Sequence, residues 1–178
     1  MIRLDTYQAI STKLDVREFA SRHVESPIKT KILEAARLTA SSMNSQHWRF
    51  ILVQDPKNLV TLARDSTTGS WVKGSDFAII VNIDSKIPGS TIDAGRVAQD
   101  MELAAWDRGV ASGVYTGIKS DDLRRDFGIP ENLNPTIVVG FGYPKKKLLG
   151  RKSRKALAEI AFLERFGGPL GSIGTLAG

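Results

Sequence analysis

Two pairs of cationic side chains, far apart in the chain, are suited to binding an anionic group. Near the N-terminus, Lys13 and Arg17 lie four residues apart beside Phe19, a spacing that places both cations on one side of a helical turn. Near the C-terminus, Lys152 and Arg154 lie two residues apart. Ammonium and guanidinium groups form charge-assisted hydrogen bonds with phosphate oxygens, so the two pairs together predict a phosphate-binding site.

Two segments between these pairs add groups that suit the rest of a nucleotide. In residues 40–53, small polar side chains directly precede an apolar strand. They offer hydroxyl and amide groups at Ser41, Ser42, Asn44, Ser45 and Gln46. Residues 112–117 read Ser-Gly-Val-Tyr-Thr-Gly, and such glycines allow backbone to lie close to a flat ligand. Each segment alone is typical of an ordinary connection. Together the two pairs and the two segments offer cations that can bind a phosphate, hydroxyl groups that can bind a polyol and exposed backbone that can lie against a ring. This combination predicts a flavin mononucleotide (FMN) site.

The composition excludes several other kinds of chemistry. The chain has no cysteine, which removes disulfides, thiolate nucleophiles and iron-sulfur clusters. Its two histidines, His23 and His47, lie in no zinc-binding pattern, so we expect no metal site. Phosphate-binding glycine loops and the Gly-x-Ser-x-Gly elbow are also absent from the sequence. With no long apolar window and no signal peptide, we expect a cytoplasmic protein that does not enter a membrane.

The net charge leaves a second class of function open. The formal charge is +6, and much of the excess lies in the basic run 145–155. A solvated basic face explains such a run, whereas a nucleic-acid-binding domain would bind in a salt-dependent way and be colourless when purified. Few aromatic side chains interrupt the run, so the stacking surface for a single strand is weak, and we expect no nucleic acid partner.

The elements that position these groups alternate along the chain. With 178 residues and 42% hydrophobic side chains, one domain over 1–178 can bury a full core, with 167–178 as a glycine-rich tail. Hydrophobic spacing predicts strands at 48–54, 77–83, 110–115 and 136–141, of which 77–83 should be buried on both faces. Helices are predicted at 7–13, from 26, from 55, and at 93–108, 120–127 and 153–162. This alternation predicts a layered mixed α/β or α+β fold.

The order of these motifs resembles the nitroreductase-like flavoproteins. That family has a basic-x-Ser-x-basic-x-Phe element near the N-terminus, read here as Lys-Leu-Asp-Val-Arg-Glu-Phe at 13–19. A Pro-Ser-Ser-x-Asn-x-Gln-Pro-Trp-x-Phe segment follows, read here as Ala-Ser-Ser-Met-Asn-Ser-Gln-His-Trp-Arg-Phe at 40–50. Four later features also agree with the family: a helix from 93, the turn 113–117, Gly-Phe-Gly-Tyr-Pro at 140–144 and Lys-Ser-Arg at 152–154. Several motifs in consistent order over about residues 7–166 are more specific than any one of them.

The resemblance implies an α+β fold with a central, mostly antiparallel sheet flanked by helices. It also implies a homodimer, with the long helix and the FMN at the subunit interface. The protein would supply no catalytic side chain, because the reaction occurs at flavin N5. Cofactor-binding roles fall on Lys13, Asp15, Arg17, Ser41, Ser42, Asn44, Val114, Tyr115, Thr116, Gly117, Lys152 and Arg154. Of these residues, Ser41, Ser42 and Asn44 would come from the second subunit. Trp71 and Tyr115 would contact the substrate.

The activity that the resemblance implies is the oxidation of NADH or NADPH with reduction of a nitroaromatic, quinone or similar small acceptor. A dehydrogenase, a dehalogenase or a flavin-consuming enzyme on the same scaffold would keep the same cofactor. Three residues depart from the family pattern, and one of them, Ala40, replaces a proline. Asp15 replaces the usual serine and would repel a phosphate unless Arg17 or a hydroxyl of the ribityl chain offsets its charge. His47 replaces a proline, and we expect it to be a surface loop histidine.

Overall fold

The fold is described from a computed structural model that covers residues 5–148 and 152–171. The helices are α1 (Thr6–Thr12), α2 (Ser26–Leu38), α3 (Pro56–Arg64), α4 (Ser90–Trp106), α5 (Ser120–Phe127) and α6 (Leu157–Ile160). The strands are β1 (Arg49–Val53), β2 (Phe77–Ile83), β3 (Ala111–Tyr115) and β4 (Asn134–Gly142). Two 3-10 turns, Ser42–Asn44 and Ser70–Gly74, complete the elements of the described residues.

The four strands form one antiparallel sheet in the order β1-β2-β4-β3. All seven residues of β2 are buried, which confirms the prediction of a strand covered on both faces. Odd-numbered side chains of β2 pack in a core with α2 and α4, and its even-numbered side chains pack in a second core with α3 and α5. The sheet with helices on both faces confirms the predicted α+β class.

The longest helix, α4, supplies the main covering of one face of the sheet. Val97, Met101 and Ala105 are fully buried against the sheet. The helix contacts α2, β2, β3 and β4, and Gly109 follows its end with φ 72°, a left-handed conformation that is common where helices end. It begins at Ser90, three residues earlier than the sequence predicts.

The segment after α1 lies beside the edge strand β3, and it does not continue as a helix. Asp15 forms a parallel bridge with Ser112, and the Val16 N–H donates to the Ser112 carbonyl at 2.8 Å. Phe19 forms an antiparallel bridge with Pro144. The prediction that Lys13 and Arg17 share one side of a helical turn is therefore wrong, because pairing with the sheet edge keeps this backbone extended.

The bounds of the last helix differ most from the sequence predictions. This helix, predicted over 153–162, spans only Leu157–Ile160. All four of its residues are exposed, so no tertiary packing stabilises a longer helix. Helix α2 begins at Ser26, as predicted, and its N-cap is Glu25. Part of the predicted glycine-rich tail, 172–178, lies outside the described residues.

Gly113 in β3 is required by close packing of the N-terminal segment. A Cβ atom at this position would lie 2.5 Å from the Val16 carbonyl oxygen and 3.0 Å from the Trp71 ring. We therefore expect Gly113→Ala to lower the free energy of unfolding by about 2 kcal/mol, as overpacking does in cores. Urea unfolding measures this, with Gly74→Ala as the control, since a Cβ at Gly74 would meet no atom within 4 Å. Equal stability of the two variants would contradict this account.

Candidate functional site

A cavity of about 670 Å³ lies on the α4 side of the sheet, where the segments 13–15 and 152–154 meet. Its volume falls in the range of small-molecule sites. Lys13 and Asp15 line it from the N-terminal segment, and Lys152 and Arg154 line it from the C-terminal segment. Gly95, Ala98, Gln99 and Glu102 of α4 form one wall, and Val114 and Ile137 supply apolar surface from the sheet. The structure thus brings together the first pair's lysine and the complete second pair of predicted cations.

Lys13 is buried at this cavity and is held by two carboxylates. Only 7% of the residue is exposed. Its Nζ lies 2.6 Å from Glu102 Oε1 and also forms an ion pair with Asp15. The Ser112 hydroxyl donates to the same Glu102 oxygen at 2.8 Å. The cation that offsets Asp15 is therefore Lys13, not Arg17 as the sequence suggested.

Lys152 and Arg154 retain their positive charge at the cavity. The Lys152 ammonium donates to the Ile10 carbonyl near the end of α1, and Arg154 Nη1 donates to the Ser153 carbonyl at 2.7 Å. Within residues 5–148 and 152–171, neither side chain forms an ion pair with a carboxylate. Both can therefore pair with an anionic ligand.

Arg17 does not line the cavity. It is exposed, and its guanidinium carbon lies 5.8 Å from the centre of the Trp71 ring. Trp71 packs over Gly113 and Gly140, on the face of the sheet opposite α4. Arg17 is therefore not among the residues that line the cavity with Arg154, and a role for Arg17 in binding the same ligand is still a prediction.

Successive side chains along β3 point to opposite faces of the sheet, so the predicted residues 114–117 lie in different surroundings. Val114 faces the cavity, whereas Tyr115 points to the opposite face, where it is buried edge-on against Trp71 and its hydroxyl donates to the Leu62 carbonyl at 3.3 Å. Burial of Tyr115 raises the pKa of its phenol. Thr116 is exposed, and the space beside Gly117 is occupied by Thr67 and Thr68.

These neighbours show what the glycines and aromatic rings do within one chain. The spaces beside Gly113 and Gly117 are filled by protein atoms, so packing accounts for both glycines. Trp71 and Tyr115 belong to the core on the α3 and α5 side of the sheet. Contact of Trp71 and Tyr115 with substrate, and of Tyr115, Thr116 and Gly117 with cofactor, are still predictions.

The serine-rich loop lies apart from the residues that line this cavity. Ser41, Ser42 and Asn44 surround a 3-10 turn in which Met43 and Asn44 both have φ 52°. Gln46 also adopts a left-handed conformation, with φ 46°. Three left-handed residues without glycine are strained, and such strain persists only where surrounding contacts maintain it.

Asp93 at the start of α4 supplies those contacts. It accepts the Ser42 N–H at 2.8 Å and lies 3.3 Å from His47 Nε2. Burial opposes ionisation of this carboxyl, but the hydrogen bonds from Ser42 and His47 and the charge of Arg96 hold the pKa of Asp93 below its ordinary value. The prediction of a surface histidine is wrong, because His47 is only 7% exposed and packs between the loop and α4.

Sequence reasoning missed Glu102 and Asp93 as parts of the site and its supporting loop. Both are buried acidic residues on α4, at positions where the helix otherwise presents small apolar side chains such as Ala94 and Ala98. A charged residue within the buried stripe of a helix is the available signal, because such a residue is kept only when it is paired.

The described residues hold neither a metal-binding cluster nor a membrane span. No group of three or more His, Asp or Glu side chains in these ranges is arranged to hold a metal ion. None of the helices seen there has the length and apolar character needed to cross a bilayer.

Comparison with known proteins assigns the chain to a family. A model of the nitroreductase family matches residues 10–75 and 67–143. A protein of Methanothermobacter thermautotrophicus, named "Putative NADH dehydrogenase/NAD(P)H nitroreductase", is 34% identical over 151 residues, which are 80% of this chain and 78% of the relative. A protein of Archaeoglobus fulgidus with the same name is 32% identical over 146 residues, covering 76% of this chain and 83% of the relative.

The fold agrees with this assignment. The solved structure of an FMN-dependent nitroreductase from Clostridium difficile R20291 superposes with a TM-score of 0.83 at 22% identity, covering 89% of this chain and 98% of that protein. Family match, relatives and fold therefore lead to one conclusion: this chain belongs to the nitroreductase family.

Proposed function

We propose that this protein is an FMN-dependent oxidoreductase of nitroreductase type. It would oxidise NADH or NADPH and reduce a nitroaromatic, a quinone or a similar small acceptor in alternation at one site. The observation that carries the proposal is the convergence of Lys13, Asp15, Lys152 and Arg154, from the two ends of the chain, on one cavity. The names of the relatives and of the C. difficile nitroreductase support the choice of donor and cofactor.

The residues at the cavity fit a flavin nucleotide. Lys152 and Arg154 are free of carboxylate partners in the described part of the chain, so they can bind a phosphate by charge-assisted hydrogen bonds. Gly95 and Ala98 keep the α4 wall free of bulk, and Val114 and Ile137 provide an apolar surface for a ring. When bound, FMN would supply hydride acceptance and donation at N5.

The protein's own residues would orient the cofactor and limit access of water. The apolar wall from β3 and β4 would exclude water from one side of the ring, and the two basic residues near the C-terminus would fix the phosphate. No side chain of the cavity needs to act as an acid or a base in this proposal, which agrees with the expectation that the chain provides no catalytic residue.

A homodimer is part of the proposal, because the serine-rich loop does not reach the cavity of its own chain. Ser41, Ser42 and Asn44 would contact the cofactor of the partner subunit. Large apolar side chains are exposed on several elements that a second copy would cover: Tyr7, Ile10, Leu38, Ile92, Leu157, Ile160 and Phe166. Multi-angle light scattering should therefore give a mass near twice the 19.4 kDa of the chain.

The function is tested by flavin binding and by reduction without an acceptor. We expect purified protein to quench the fluorescence of added FMN, and NADH or NADPH to bleach the bound flavin under anaerobic conditions. Re-oxidation by a quinone or nitroaromatic would complete the cycle. Protein that binds no flavin but binds nucleic acid with a steep salt dependence would contradict the proposal.

A further inference from the structure

Glu102 is a buried carboxylate that the proposed reaction does not require. It is 5% exposed and lies on α4 at the wall of the cavity. It accepts hydrogen bonds from Lys13 Nζ at 2.6 Å and from the Ser112 hydroxyl at 2.8 Å. All three residues are at least nine-tenths buried, so water screens the charge of Glu102 poorly.

The distribution of charge along the cavity is uneven. Two carboxylates, Asp15 and Glu102, share the ammonium of Lys13. In contrast, Lys152 and Arg154 form no ion pair with a carboxylate of the described residues. Lys13 therefore contributes little net positive charge to the cavity, because two carboxylates offset its charge.

We infer that Glu102 is a specificity-determining residue that weakens the binding of the cofactor phosphate at this cavity. A phosphate dianion close to Lys13 would also lie close to Glu102, and two like charges in a poorly screened site repel each other. This inference rests on the proposed function. Its effect depends on the phosphate, so it applies to FMN and not to riboflavin, which has the same ring and polyol without the phosphate.

The direct test is Glu102→Gln, because glutamine keeps the shape and an accepting oxygen for Lys13 and Ser112 while it removes the charge. Flavin fluorescence quenching gives the dissociation constants of FMN and riboflavin. We expect the dissociation constant of FMN to fall about tenfold, which corresponds to about 1.4 kcal/mol, and that of riboflavin to stay unchanged. Inorganic phosphate should compete with FMN more effectively in the variant. Glu131→Gln is the matched control, since it removes the same charge at an exposed position outside this cavity.

The outcomes separate the inference from the proposed function. If wild-type protein binds FMN but Glu102→Gln binds it equally or more weakly, the inference is wrong and Glu102 only positions Lys13. An equal gain for FMN and riboflavin would also contradict it. Wild-type protein that binds neither flavin would contradict the proposed function and this inference together.

A second variant keeps the test valid if Glu102→Gln does not fold. Replacing Lys13 and Glu102 together by methionine removes both buried charges, a change that folded proteins often tolerate. If the two charges cancel at the phosphate, FMN affinity should stay close to that of wild type. A loss of about a hundredfold would show that Lys13 binds phosphate without an effective counter-charge, and it would overturn the inference.

Discussion

Replacing Lys152 and Arg154 together by alanine is expected to raise the dissociation constant of FMN by about a hundredfold or more. These two side chains are the cations of the cavity that no carboxylate neutralises within the described ranges. A hydrogen bond to a charged group contributes about 1.5–3 kcal/mol, so losing two of them exceeds the roughly 2.8 kcal/mol of a hundredfold change. Fluorescence titration with FMN measures the effect.

The matched control replaces Lys147 and Lys155, two exposed lysines of the same basic run that do not line the cavity. This variant loses the same net charge, so it reports any general electrostatic attraction of the flavin. Riboflavin affinity should change little in either variant, because riboflavin has no phosphate. A similar loss of FMN affinity in both variants would show that long-range charge, and not a local phosphate site, governs binding.

Asp76 is a buried carboxylate that is expected to contribute strongly to stability. Its side chain is 5% exposed and accepts the Val24 N–H at 3.0 Å. It also lies 2.7 Å from His23 Nδ1 and 3.1 Å from Lys29 Nζ, so it ties the chain before α2 to the start of β2. We expect Asp76→Ala to lower the free energy of unfolding by about 3 kcal/mol, because it leaves the buried Val24 amide without its acceptor and the partly buried Lys29 without its carboxylate partner. Urea unfolding at neutral pH measures the change.

The same residue should make stability depend on pH in the acid range. Burial opposes ionisation of Asp76, but the hydrogen bonds from Val24, His23 and Lys29 hold its pKa below the ordinary value. A carboxyl whose pKa is lower in the folded state stabilises the fold above its unfolded pKa of about 3.9. That contribution is lost as the pH falls through the lower pKa of the folded state.

Urea titrations at a series of pH values between neutrality and about pH 3 measure this dependence. We expect the difference between wild type and Asp76→Ala to shrink as the pH falls through that window. The control is Asp121→Ala, whose carboxylate is fully exposed and should change stability little at any pH. A difference that is constant across the range would show that Asp76 acts through packing and not through its charge.

Elements with a strong local signal were predictable from the sequence. β2 and α5 have the predicted bounds, because a continuous apolar run and an amphipathic segment ending at Gly128 specify them without distant contacts. The length of the last helix was overestimated, because short helices depend on packing partners and residues 157–160 are all exposed.

The candidate site was predictable in part. The types and order of Lys13, Lys152 and Arg154 indicated an anion site, and the structure places these three residues at one cavity. Glu102 was not predicted as a site residue, because a carboxylate on a helix is usually exposed to solvent. Its burial and its ion pair with Lys13 are visible only in the structure. Arg17 was assigned to the same site from a helical spacing, but the extended backbone of its segment places it beside Trp71.

The sequence by itself determined the family, the order of the elements and the chemical types that are available for a flavin phosphate. Those properties follow from local patterns and from motifs whose order can be read along the chain. Only the tertiary structure decided which charges remain available at the cavity. Ion pairing between residues 89 positions apart, such as Lys13 and Glu102, depends on how α4 packs against the sheet edge, and no local pattern encodes that distance.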